Sequence, residues 1–131
     1  MTIERQVELF YDAMKHEYVS YVDDVLKIVA FLLASVGWLL TSDDARNALS
    51  KDDPKMFVLT ILALLTVNIF LVLYGHFLRS VRLQKRLLQE SQSLQFLADN
   101  YVIRGVHLAV NIIAIGALLI LLAAIVWSVR E

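Results

Sequence analysis

Four residues stand out by type and position as able to do chemistry: His76, His107, Asn68 and Asn111. His76 lies two residues inside one end of a long charge-free stretch, and His107 two residues inside the end of another. On neighbouring antiparallel helices the two imidazoles would come to a similar depth, as a pH-sensitive or metal-binding pair at a cytosolic mouth. Two histidines alone make a poor metal site. The commoner use of such residues is an interfacial ring reaching towards headgroups.

Asn68 and Asn111 are the most polar groups deep in these stretches, about 15 Å and 9 Å from their inner ends at ~1.5 Å per helical residue. An amide in hydrocarbon needs a partner, so each is expected to face another helix rather than lipid. They could bond each other, bond another chain, or line a wet pore with Thr60 and Thr66. Packing is the commoner use. Ala30-xxx-Ala34 and Gly105-xxx-Ala109 add small faces suited to close helix contact, a spacing also frequent by chance.

Outside the apolar stretches the pattern is one of charge rows. Glu4, Glu8 and Asp12 form an acidic row at i, i+4, and Arg79, Arg82 and Arg86 a basic row at i, i+3, i+7. Complementary rows on one side of a membrane could zip two helices together. Alternatively the basic row meets anionic headgroups, worth about 1 kcal/mol per residue. It is short and has no aromatic stacking platform, so nucleic acid is not the expected partner. The acids Asp43, Asp44, Asp52 and Asp53 lack EF-hand spacing.

Catalysis has little to build on. The chain carries no GxSxG, HExxH, Walker or GxGxxG pattern. It contains no cysteine. Neither an enzymatic activity nor a cofactor, metal or small-molecule substrate is expected.

The elements that position these residues follow from composition. The chain has 131 residues, 59% of them hydrophobic and 19% charged, with formal net charge −1 and mean hydropathy +0.65. An ordinary soluble domain is roughly 45–50% apolar, and one this small could not bury so much apolar surface in one core. Met56 to Leu78 gives 23 residues without a formal charge and Gly105 to Val129 gives 25. Both exceed the ~20 needed to cross ~30 Å of hydrocarbon. Ile28 to Ser42 gives only 15. It becomes adequate, at about 18, if Val25 and Leu26 are included and Lys27 snorkels to the interface.

The expected fold is thus an all-α membrane protein with three transmembrane helices, over 28–42, 56–78 and 105–129. An amphipathic N-terminal helix over 1–27, an outer loop over 43–55 and a basic cytosolic helical hairpin over 79–104 complete it. Lys and Arg number eight on the side shared by the N-terminal segment and the second loop, against four on the other. The positive-inside rule then puts the N-terminus in the cytosol and the C-terminus outside. Trp38 and Trp127 then fall near the outer interface, and Tyr74 and Tyr101 near the inner one. Six acids within the first 24 residues argue against a cleaved signal peptide. The expected location is a cytoplasmic membrane of the bacterial inner type, crossed several times.

Helices longer than the membrane are also expected. Ile3, Val7, Phe10, Met14, Tyr18, Tyr21 and Val25 form one apolar stripe, with Thr2 as N-cap, and one helix should run from about residue 3 to residue 41. The second span should continue to Glu90 and reverse at Ser91-Gln92-Ser93, with Asp99-Asn100 as the alternative break. Leu94, Leu97, Tyr101, Gly105, Leu108 and Ile112 would then form one face running into the third span. Ser42 should cap a short turn through Ala48, and Asp53 should cap a helix with Pro54 at its first position.

These features predict a module that self-associates or joins other membrane subunits through its cytosolic helical arms. The alternative is a homo-oligomeric pore or membrane-permeabilising effector, since three helices are too few to enclose a water path alone. A secondary transporter fits least, because there is no inverted repeat and no charged midplane residue.

Overall fold

The computed structural model describes residues 2–90 and 99–129. The reversal at Ser91-Gln92-Ser93, with Leu94 and Leu97, lies outside the described residues. Among those described the chain is all-helical: α1 (Ile3–Thr41), α2 (Asp43–Leu49), α3 (Asp52–Glu90) and α4 (Gly105–Ser128). Three of them, α1, α3 and α4, are long and apolar enough to cross a membrane.

At 39 residues each, α1 and α3 are about 58 Å long on a ~1.5 Å rise, far more than a bilayer core requires. The stripe on α1 explains its unbroken course. Met14 and Tyr21 are buried, Val7, Phe10, Tyr18 and Val25 half-buried, and only Ile3 at the frayed start is exposed. The Thr2 carbonyl accepts from the Gln6 amide at 3.2 Å, so Thr2 stands at the cap position.

The short connection between α1 and α3 folds as its residues dictate. Ser42 Oγ accepts from the Ala45 amide at 3.2 Å and caps α2. α3 begins two residues earlier than Asp53-Pro54 suggests. The Lys55 amide donates to the Lys51 carbonyl at 3.2 Å, so Lys51 is the cap and Asp52 the first helical residue. Pro54 fits the first turn because the N–H it lacks would have no partner inside the helix. Asp52 and Asp53 there oppose the positive end of the helix dipole.

The return segment departs from the expected continuous helical face. Tyr101 to Arg104 is non-helical, and α4 starts only at Gly105. The cause is burial. Val102 and Ile103 both turn inward, and the Ile103 amide donates to Ser80 Oγ at 3.0 Å instead of to a helical carbonyl. The Leu108 amide then donates to the Arg104 carbonyl at 3.1 Å to open α4.

The chain divides into two compact units, one of Met1–Val25 with Val72–Val110, the other of Leu26–Leu71 with Asn111–Glu131. The first has a core of Met14, Leu87 and Val102, with Val7, Phe10, Leu83, Leu88 and Tyr101 packed against it. The second buries Leu32, Leu39, Leu49, Ile69, Ile115, Leu119, Leu122 and Val126. Its hydroxyls return to their own helices: Ser35 to the Phe31 carbonyl, Thr41 to Gly37, Thr60 to Met56 and Thr66 to Leu62. That habit suits hydrocarbon, where no water would satisfy them.

Candidate functional site

The most chemically dense place lies in the first unit. Glu17, Tyr21 and Asp24 are spaced i, i+4, i+7 on α1, so they share one face over two turns. His76, Arg79 and Ser80 are spaced i, i+3, i+4 on α3 and do the same. His76 is buried, with its Nδ1 2.5 Å from Glu17 Oε1 and its Nε2 2.9 Å from Asp24 Oδ2. Arg79 Nε donates to the same Glu17 oxygen at 3.0 Å. Tyr21 closes the cluster, its ring edge-on to the imidazole at 6.0 Å between centroids.

The protonation chemistry of this arrangement is set by its donors and acceptors. An ionised carboxylate only accepts, and a neutral imidazole has one N–H. Both His76 contacts are hydrogen bonds at once only when the ring carries both protons. In that state two acids face two cations, and the cluster is neutral. Arg79 Nη2 lies 3.4 Å from His76 Nδ1. With Nδ1 donating to Glu17, those two groups converge on the carboxylate rather than bonding each other.

An aromatic cluster stands alongside. Tyr101 meets Tyr11 edge-on at 5.5 Å and Tyr18 at 6.0 Å, and the Lys15 ammonium lies 6.0 Å from the centroid of the same ring. Burial holds the Tyr11 phenol above its ordinary 10.0, aided by its hydrogen bond to Tyr101 and the negative charges of Tyr101 and Asp12. A raised phenol favours the folded state below the unfolded value and loses that contribution as pH climbs through the folded one. Tyr11→Phe is therefore expected to flatten the pH dependence of stability above about pH 10, read by melting in an alkaline series. An unchanged alkaline slope would rule the phenol out.

The basic row is assembled on one face of α3. Arg79, Arg82 and Arg86, with Leu83 and Glu17, line a groove of about 220 Å³. Arg79 pairs with Glu17, whereas Arg82 and Arg86 are exposed and in no ion pair among the described residues. Glu4, Glu8 and Asp12 are exposed on α1, and no ion pair joins the two rows among the described residues. The residues that sequence reasoning passed over are Glu17 and Asp24. Their signal was present: two acids two turns apart, beside the apolar stripe at Tyr18, Tyr21 and Val25.

The polar residues of the apolar segments separate. Asn111 is half-buried and engaged, while Asn68 is exposed and has no hydrogen-bond partner among the described residues. Thr60 is exposed. Thr66 is half-buried and borders an apolar pocket of about 340 Å³ together with Gly116 and Leu119. Ala30, Ala34, Gly105 and Ala109 are all exposed, so neither small face is covered within the chain. His107 is exposed as well, and the partners of His76 are carboxylates, not His107. Among the described residues no group of three or more His, Asp and Glu side chains is placed to hold a metal ion. No family model, curated protein or solved structure matches this chain.

Proposed function

We propose that this chain is a non-catalytic subunit of a membrane assembly that associates through the hydrocarbon side of α3. In this reading the N-terminus and the segment 79–104 lie in the cytosol and the C-terminus outside, the side richer in Lys and Arg being the inner one. The single observation that carries it is Asn68, an exposed amide with no hydrogen-bond partner among the described residues, inside a charge-free window of 23 residues.

The surrounding face supports association. Phe57, Ile61, Leu64, Asn68 and Leu71 recur at steps of four and three along α3, and all five are exposed. That is the seam spacing of helices packed along their length, and a single Asn in such a seam favours one register. Lipid tails cover the apolar members as well as another helix would. They cannot satisfy the amide, so the free-energy difference between lipid and a partner helix concentrates at Asn68. Self-association is the simplest form, because a second copy in the same orientation brings the same amide to the same depth.

The test is self-association in vesicles, read by energy transfer between labelled copies. Asn68→Leu is expected to weaken it about 3- to 30-fold, the range that interhelical polar contacts in membranes support. Thr60→Val, whose hydroxyl is already bonded to its own helix, should change nothing. Unaltered association of Asn68→Leu would overturn the reading. Ion flux that tracks the assembled fraction would make the assembly a pore instead.

A further inference from the structure

We propose that the groove of Arg79, Arg82, Leu83 and Arg86 beside Glu17 is a binding site for the phosphate headgroup of an anionic lipid. The inference is independent of how α3 associates with other chains. Its first support is position. Arg79 follows directly on Leu78, the last residue of the charge-free window, and Arg79 to Arg86 extends about 10 Å further at ~1.5 Å per residue. The headgroup layer beyond the hydrocarbon is about 5–8 Å thick on each side. The Arg82 backbone therefore sits within it, and the Arg86 backbone a few ångströms beyond it, within reach of its long side chain.

The second support is electrostatic. Glu17, the one acid lining the groove among the described residues, would repel an anion if it were free. It is not: the same Oε1 faces His76 Nδ1 at 2.5 Å and accepts from Arg79 Nε at 3.0 Å. Asp24 Oδ2 lies 2.9 Å from the far imidazole nitrogen, so both faces of the buried ring are already taken by carboxylates. Among the described residues Arg82 and Arg86 are in no ion pair, and both line the groove. Two guanidinium forks one helical turn apart match the several acceptor oxygens of a phosphate better than point charges do.

The third support is shape. The groove is concave, about 220 Å³, and Leu83 supplies its apolar element beside Arg82 and Arg86. Phosphate oxygens would meet the guanidinium groups while the glycerol and first methylenes rest on Leu83. A basic pocket between helices at the membrane boundary is a recognised way to hold an anionic headgroup, distinct from diffuse attraction to a charged surface.

The full-length protein, purified in a zwitterionic detergent, is titrated with phosphatidylglycerol, with phosphatidylcholine and with inorganic phosphate. Bound lipid is counted by native mass spectrometry. Wild type is expected to retain phosphatidylglycerol over phosphatidylcholine. Arg82→Gln with Arg86→Gln should weaken that retention about 30-fold, from two basic contacts near the surface. Both side chains are exposed, so the variant should melt as wild type does in phosphatidylcholine. Arg82→Lys with Arg86→Lys keeps the charge but loses the forks, and should fall between the two. Lys85→Gln, which removes a neighbouring charge outside the groove lining, should leave retention unchanged. The proposal is overturned if the double Gln variant retains phosphatidylglycerol like wild type, or if Lys85→Gln loses as much. Competition by inorganic phosphate as strong as that by phosphatidylglycerol would also overturn it, making the ligand a free anion.

Discussion

His76→Leu is expected to destabilise the protein by roughly 3–5 kcal/mol, the usual effect of removing one member of a buried, hydrogen-bonded ion cluster. The loss comes less from the missing contacts than from what stays behind. Glu17, with its side chain 15% exposed, would keep only Arg79, and Asp24 would lose the contact it makes with Nε2. Unfolding in a detergent titration, followed by amide exchange in the first unit, measures the effect. A double-mutant cycle of His76→Leu with Glu17→Leu should show strong non-additivity, because the second change removes the carboxylate that the first leaves exposed. An effect of His76→Leu below about 1 kcal/mol would mean that the cluster is surface-like in its energetics.

Leu87→Ala should rank next, at about 2–5 kcal/mol for a truncated buried leucine. Leu87 is fully buried against Met14 and Val102, and Val102 belongs to the non-helical segment between Tyr101 and Arg104. A cavity there should loosen that segment first. The Ile103 amide, donated to Ser80 Oγ, then becomes the specific reporter: its exchange should accelerate before that of α1. Leu33→Ala is the matched control, since Leu33 is 54% exposed and lipid replaces what the mutation removes. Equal effects of the two changes would deny the first unit a packed core.

The elements were legible in the sequence because their signals are long. Charge-free windows and the stripe from Ile3 to Val25 each average over many residues, and α1 carries the expected bounds of 3–41 within one continuous helix. The site was less legible, for two reasons. His76 was readable as an edge-of-window imidazole, but its neighbours were not, because Glu17 and Asp24 are 59 and 52 positions away. Spacing along one helix says nothing about which face of another it will meet. The acidic row drew attention through its regularity, whereas the carboxylates that matter are those beside the apolar stripe. The break at Tyr101 lies just after Asp99-Asn100, the alternative break that the sequence offers, and was less visible than the favoured reversal for a related reason. Periodicity from Leu94 to Ile112 is compatible with a helix, and only the pull of Ser80 and the Met14–Leu87–Val102 core removes Val102 and Ile103 from it.

One contact in the second unit bears on how the protein is made. Lys55 Nζ donates to the Val129 carbonyl at 2.6 Å, joining residues 74 positions apart. A ribosome delivers the amine long before its acceptor exists. Through that interval the ammonium lacks this acceptor. Once α4 has formed, the lysine closes over the end of that helix, where a positive charge is favoured by the helix dipole. The bond thus joins the start of α3 to the end of α4, and it can close only after α4 has been made.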